Sequence, residues 1–470
     1  MRWISTTAGA AASLVLAGFA LAASPGVSNV DLSGDAPGLA AAVPVVALDP
    51  NNPSRVVVAW RQVAPLAPRG TVFPGAWVCH ISISNDGGKS FSEQAKSWAD
   101  AGFSRCNAPF AAFSSKGDIY VGGTLTMEPP AHAEAPAASG PQERPHLNGA
   151  VGISRSSDGG KTWGPTITPI ASNMIDRFEV DPSIPLLAKQ VPWDGARAVV
   201  DPQTGAIYAT GGFPAPPGGA ARSQRFYTLS TDGGRTFGPI RSFGTSAWPT
   251  RWDGDIVAAH GLFAFSYVAE ATPAGSEKCM CAVFGVSADQ GKTVQRYKVA
   301  DVSDFDIDTL VHYPELAADP TTKGRFGLTL ISADKHQVAA YVTRDAGAAW
   351  RKSEPVQPAD VIAVSRPAIA ITPKGTVVLA WRGSHADGGY DIYAAAERAG
   401  DAGFSPAVKM STATSYLADA LKPTYALRGD FHTTLAATDQ DVHAAWADAR
   451  SGADLRVVYA KAPMAILLSK

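Results

Sequence analysis

One eight-residue pattern recurs along this chain and constrains its fold more than any other feature. It reads Ser84-Asn85-Asp86-Gly87-Gly88-Lys89-Ser90-Phe91, then Ser156-Ser157-Asp158-Gly159-Gly160-Lys161-Thr162-Trp163. Ser230-Thr231-Asp232-Gly233-Gly234-Arg235-Thr236-Phe237 and Ser287-Ala288-Asp289-Gln290-Gly291-Lys292-Thr293-Val294 follow. A weaker copy is Thr343-Arg344-Asp345-Ala346-Gly347-Ala348-Ala349-Trp350, and an eroded one lies around Asp401-Ala402-Gly403-Phe404. Each copy reads as a hairpin turn: Asp and Ser side chains hydrogen-bond the turn backbone, and Gly supplies positive φ without steric cost. The closing aromatic can pack on the sheet below. Alternating apolar runs such as Trp77 to Ser84 and Phe226 to Leu229 lead into the turns. Recurrence every 55 to 75 residues or so marks an array of supersecondary units.

A second repeat lies between the turns. Pro44 to Pro50 leads into Arg55 to Arg61, Ala198 to Pro202 into Ala206 to Thr210, and Pro367 to Pro373 into Val377 to Arg382. Each is a strand, a tight turn and a strand, so adding the Asp hairpin gives four antiparallel strands per unit, a propeller blade. Units start near Pro44, Ala108, Ala196, Asp255, Pro314, Pro367 and Thr433, which counts seven blades, with six as the alternative. The last unit lacks a fourth strand. Val27 to Leu32 can supply it by pairing around Val457, removing the free sheet edges. The expectation is an all-β chain forming one propeller over residues 23–470, with the Ala/Pro-rich stretch Pro129 to Pro141 as a loop inside blade two.

The Ser-x-Asp-x-Gly-x-Thr-Trp turns are similar to the Asp-box (BNR) repeats of the sialidase/neuraminidase-like superfamily. The resemblance covers most of the mature chain and implies a propeller with Asp boxes on one face and a substrate site on the other, at the central channel mouth. It also implies a glycoside-hydrolase-like function. The sialidase pattern opens its first blade with Arg-Ile-Pro, whereas this chain has Ala42-Val43-Pro44, so that carboxylate-binding Arg is missing.

Composition narrows the partners. Forty basic against 42 acidic residues give a net charge of -2, which excludes an electrostatic nucleic-acid binder. Residues 1–22 carry Arg2, an apolar run from Leu14 to Leu21 and Ala20-Leu21-Ala22, as a secretory signal peptide does. The alternative is an uncleaved anchor, for which the apolar run is short. A periplasmic or secreted monomer with no membrane span after cleavage is expected, its partner a carbohydrate or another extracellular ligand. In that oxidising setting Cys79 and Cys106 can join neighbouring elements. The Cys279-Met280-Cys281 pair is open to a structural or a soft-metal or redox reading.

Candidate chemistry comes from residues just before each inner strand and from the loop after each second strand. Glu315, Tyr313 and Asp255 are the candidate catalytic groups, since acid, base and nucleophile roles need carboxyl or phenol groups. Arg197, Arg251, Arg366 and Arg428 are candidate clamps for an acidic sugar, with Trp252 and His385 beside them. A Tyr-Glu nucleophile pair can be drawn from Tyr425 or Tyr390 with Glu270 or Glu315. Arg and Asp at strand starts also tie blades together, which is the competing role. His312, His385 and His432 show no H-x3-H spacing, so neither metal nor other cofactor is expected. Three functions remain: a glycoside hydrolase, a non-catalytic glycan- or protein-binding propeller, or a polysaccharide lyase using a His or Tyr base.

Overall fold

In the computed structural model, residues 25–34, 40–63, 77–127, 149–171, 173–180, 194–213, 224–252, 254–271, 279–301, 314–416, 433–452 and 455–469 are described. Residues 1–22 and 129–141, with the leader and blade-two loop expected there, and His312, Tyr313, Tyr425, Arg428 and His432 lie outside them.

Seven sheets follow one another along the chain, antiparallel throughout except where the two-residue strand Phe178–Glu179 pairs parallel with Ile240–Ser242. Their inner strands are Ala40–Asp49, Arg105–Phe113, Asp194–Val200, the split pair Thr250–Trp252 and Ile256–Ala259, Glu315–Ala318, Ala363–Ile371 and Thr433–Ala437. Each inner strand touches those of both neighbouring blades, and the first touches the seventh, so the ring closes. Closure is completed by Ser28–Asp31, which pairs antiparallel with Arg456–Pro463 through Val30 opposite Tyr459 and Asp31 opposite Val458. The seven-blade count and the N-terminal closing strand stand; the six-blade alternative falls. Among the described residues no helix is long and apolar enough to cross a membrane.

The alternating strands bury apolar side chains between blades. Phe110, Val151 and Ile153 of blade 2 meet Ala198, Ile207 and Phe226 of blade 3. Phe284 and Val286 of blade 4 meet Leu328 and Tyr341 of blade 5. Ile392 and Ala394 of blade 6 meet Val442 and Trp446 of blade 7. A disulfide adds a covalent tie: Cys79 in the third strand of blade 1 is bonded to Cys106 in the inner strand of blade 2 across 27 residues. Cys281 is also disulfide-bonded and buried, so it offers no thiolate for the soft-metal reading. Replacing Cys79 and Cys106 by Ser should cost about 2–4 kcal/mol, seen as a lower urea midpoint with unchanged m-value.

The Asp turns are built as the residue pattern predicts. Ser84 Oγ donates to Asp86 Oδ1 at 2.7 Å and accepts from Gly88 N at 2.8 Å. Asp86 Oδ1 then accepts from Ser90 N, and Oδ2 from Ser90 Oγ at 2.6 Å. The same set recurs at Ser156/Asp158/Gly160/Thr162, Ser230/Asp232/Gly234/Thr236 and Ser287/Asp289/Gly291/Thr293. These donors hold the Asp carboxylates well below their ordinary range; Asp158 and Asp289 are lowered to about 2, by the hydroxyls and amides of Thr162 and Thr293 first.

In blades 1, 2, 4 and 5 the glycine two positions after the turn Asp is seated on the preceding blade. A side chain at Gly88 would meet Tyr459 Oη at 2.0 Å, at Gly160 Ile83 Cδ1 at 2.2 Å, and at Gly291 Tyr227 Cε2 at 2.6 Å. The turn is therefore a docking element between blades as well as a hairpin end.

Candidate functional site at the channel mouth

Antiparallel register fixes two faces. In blade 1, Val56 at the start of the second strand pairs with Ser84 of the Asp turn, while Ala42 of the inner strand pairs with Arg61, and Val63 with Trp77, at the far end. Inner-strand starts and second-to-third-strand loops thus share the face opposite the Asp turns, as the sequence implied.

A bulge interrupts the start of the inner strand in at least four blades. Register shifts occur between Ala42 and Val45, Asn107 and Phe110, Asp194 and Arg197, and Ser365 and Ala368. The bulge residue takes positive φ: Val43 at 53°, Ala108 at 43°, Gly195 at 63° and Arg366 at 54°. In three cases Pro follows (Pro44, Pro109, Pro367), and a residue without an N–H suits a break in the ladder. Bulges of this kind re-aim side chains, and only at Arg366 is the re-aimed residue charged. A non-Gly residue held at positive φ carries a conformational cost that surrounding structure must sustain.

Arg197 of blade 3, Asp255 of blade 4, Glu315 of blade 5 and Arg366 of blade 6 act on one another from four consecutive blades. Arg197 Nε lies 3.4 Å from Asp255 Oδ1. Asp255 Oδ1 accepts from its neighbour Ile256 N at 2.8 Å, and Oδ2 from Leu316 N of the next blade at 3.3 Å. Ser266 Oγ donates to Pro314 O at 2.7 Å and accepts from Asp255 N at 3.0 Å, fixing the two blade starts together. Glu315 is only half-buried as a residue, yet its carboxyl group sits in a crowded, poorly solvated position. That desolvation, then the Asp255 charge, pushes its pKa up to about 8, against the opposing pull of Arg197 and Arg366. Glu315 is therefore a carboxylic acid at neutral pH, placed beside Asp255. A strongly perturbed acid set among charged partners marks a candidate functional site.

The rim is also basic and aromatic. Arg61 Nη1 donates to Asn107 Oδ1 at 2.5 Å, with its guanidinium 5.0 Å from the Trp77 ring centroid. Arg382 lies 3.7 Å over the Tyr390 ring, and burial lowers its pKa. Arg225, buried in the third strand of blade 3, donates to Gly195 O, and a Cβ at Gly195 would meet its Nη1 at 2.2 Å. Arg225 escaped sequence reasoning because nothing in Gln224–Ser230 distinguishes it from an ordinary strand residue.

The other expected residues are distributed differently. Arg251 and Trp252 lie on the short inner strand Thr250–Trp252 of blade 4. His385 has both ring nitrogens engaged: Nε2 with Asp391 Oδ2 at 3.0 Å and Nδ1 with Asp360 O at 3.1 Å. Asp391 is buried and also holds Lys409 Nζ at 2.8 Å, Ser411 Oγ and Thr414 Oγ1. His385 thus belongs to a polar knot within blade 6. Tyr390 is buried, its hydroxyl donates to Ala447 O at 3.0 Å, and burial raises its pKa to about 12. That hydroxyl is committed to a blade 7 carbonyl and not to the channel mouth.

No family model and no curated protein matches this sequence. Among solved structures, a protein of unknown function from Dyadobacter fermentans DSM 18053 matches with a TM-score of 0.50 and 15% identity, over 79% of this chain and 98% of that one. The Hadza microbial sialidase Hz136 gives 0.46 and 14%, over 94% and 96%. The α-L-arabinofuranosidase arb93a from Fusarium graminearum gives 0.47 and 11%, over 94% and 99%. At such identities the likeness is one of fold, and this chain is a seven-bladed β-propeller whose structural neighbours include a sialidase and an arabinofuranosidase.

Proposed function

We propose that this chain is an exported, monomeric Asp-box propeller of the sialidase-like superfamily that hydrolyses glycosides at the channel mouth. The observation that carries the reading is the raised pKa of Glu315 beside Asp255, with Arg197 and Arg366 flanking them. Two neighbouring carboxyl groups, one of them held protonated, can divide the labour of glycoside cleavage. Glu315, protonated, donates its proton to the glycosidic oxygen as the bond to the anomeric carbon breaks. The Asp255 carboxyl group then stabilises the positive charge developing on the sugar or takes a proton from the attacking water. Arg197 and Arg366 hold the sugar through hydroxyl or carboxylate oxygens. Arg251 and Trp252, on the inner strand of blade 4, belong to the substrate-binding set of this proposal; Tyr313 stays a candidate catalytic group and Arg428 a candidate clamp on sequence grounds.

A second reading has its own support. Asp255 accepts amide hydrogen bonds from blades 4 and 5 and is flanked by Arg197, which is how a blade-tying residue behaves. On that reading the propeller binds glycan or protein at the same face without catalysis.

The deciding experiment is a screen of the purified protein against sialosides, arabinans, uronic-acid polymers and aryl glycosides. Hydrolysis of one class is expected, with Arg366→Ala losing about tenfold to a hundredfold in kcat/KM and Arg366→Lys recovering little. Glycan binding without turnover across the screen would leave the non-catalytic propeller. Turnover indifferent to Arg366→Ala would remove this cluster from the mechanism.

A further inference from the structure

The docking of an Asp turn onto the preceding blade is lost between blades 5 and 6. Glu397 pairs with Val377 in the register where Ser84 pairs with Val56 and Thr343 with Phe326, so it occupies the Ser/Thr position of the turn. Counting on from it, Ala399 and Asp401 stand where the turn Asp and its second Gly belong. Glu397, 1% exposed, turns instead to Arg351 Nη2 at 2.5 Å and Ser353 Oγ at 2.7 Å in blade 5. What remains between blades 5 and 6, on the Asp-turn face, is an open cleft of about 480 Å³. Its size falls within the roughly 300–1,000 Å³ of ligand pockets.

We propose that this cleft binds a neutral carbohydrate, independently of the channel mouth. The lining includes Arg344, Arg398, Asp345, Asp401 and Trp350. Arg351 is neutralised by Glu397, and Arg325 by Asp319 at 3.0 Å, which leaves two guanidinium groups against two carboxylates. Arg344 and Arg398 are exposed and form no ion pair among the described residues. Balanced charge disfavours a simple anion or cation. Sugar hydroxyls both donate and accept, so planar guanidinium and carboxylate groups can each take an adjacent pair, beside the half-buried indole of Trp350.

A defect in the blade 5 turn points to the same ligand. In the other four Asp turns, Oδ2 accepts from a hydroxyl: Ser90, Thr162, Thr236 or Thr293. In blade 5 that position is Ala349, itself in the cleft wall; Asp345 Oδ1 accepts from Ala349 N at 2.9 Å and from Thr343 Oγ1 at 2.7 Å, and Ala349 offers no hydroxyl for Oδ2. A sugar hydroxyl at Oδ2 supplies the donor that the sequence omits.

The test is isothermal titration of the full chain with linear hexasaccharides of arabinose, xylose, glucose and galacturonate. At least one neutral oligosaccharide should bind wild type with a Kd of about 1 mM or tighter. Ala349→Thr restores the internal hydroxyl donor, so it should weaken that binding about tenfold while the melting temperature holds or rises. Arg344→Ser with Arg398→Ser, both on the exposed surface, should weaken it similarly. Neutral-glycan binding that persists in both variants and disappears in Arg366→Ala would overturn the cleft and leave the channel mouth intact. No neutral binding, or binding of the galacturonate alone, would overturn it as well.

Discussion

Glu315→Gln is expected to lower kcat for glycoside hydrolysis by about 10²–10⁴-fold, the usual contribution of a positioned general acid. The amide keeps the shape of the carboxylic acid but has no proton to deliver to a leaving oxygen. Aryl glycosides with good leaving groups should be affected least, because their departure needs little protonation. The same variant carries a stability signature that separates the acid role from simple damage. The pKa of Glu315 is raised from an ordinary 4.5 to about 8 on folding. Between those values the native chain binds the extra proton. The stabilisation is complete below pH 4.5 and is lost as pH rises through the folded value. Glutamine does not titrate, so the variant should gain on wild type across that window, by about 1 kcal/mol or more at its upper end. Urea midpoints at acidic, neutral and mildly alkaline pH measure this. A difference that stays flat with pH would mean that Glu315 is ionised in the native chain, and the general-acid assignment would then be lost. Wild-type kcat should likewise fall on the alkaline side as Glu315 gives up its proton.

The parts of the molecule legible in the sequence were those written in local chemistry. A turn needs Ser, Asp and Gly at fixed offsets because one hydroxyl and one carboxylate satisfy four backbone or side-chain donors there. Inner strands are announced by Pro44, Pro109 and Pro367, which stand at bulges where the ladder is already broken. From such signals the seven blade starts and the closing strand near Val30 could be placed. Glu315, Asp255, Arg197 and Arg366 could be named from their positions before inner strands, but not related to one another. Their proximity depends on how adjacent blades sit, which no local pattern encodes. The engagement of His385 inside its blade was hidden for the complementary reason: Asp391 and Lys409, which share that contact, are ordinary letters in strands that read as apolar. Arg225 was invisible because the glycine it leans on, Gly195, is about thirty positions earlier in the chain.

Gly88→Ala should be the most damaging single substitution on the Asp-turn face, at about 2–5 kcal/mol, from overpacking and from the left-handed backbone together. Gly88 has φ of 84°, where a Cβ is itself unfavourable. That Cβ would stand 2.0 Å from Tyr459 Oη and 2.5 Å from Cζ. Tyr459 cannot easily yield. Its hydroxyl is 2.6 Å from His443 Nδ1, its ring packs edge-on to Phe91 at 4.8 Å, and the residue is fully buried. Burial keeps His443 neutral, lowering its pKa to about 4, so the imidazole has no charge to carry into solvent if the pair is forced apart. The junction strained is that between blades 7 and 1, where the ring closes. Gly234→Ala provides the contrast: its Cβ would find nothing nearer than 3.5 Å, so only the backbone term of about 1–2 kcal/mol should remain. Thermal and urea unfolding of the two variants should therefore differ by about 1–3 kcal/mol, with Gly88→Ala the weaker. A second substitution, Tyr459→Phe, removes the hydroxyl nearest the new methyl, so in the Gly88→Ala background it should cost less than it does alone. Equal losses for Gly88→Ala and Gly234→Ala would mean that the turn's glycine serves its own hairpin and not the neighbouring blade.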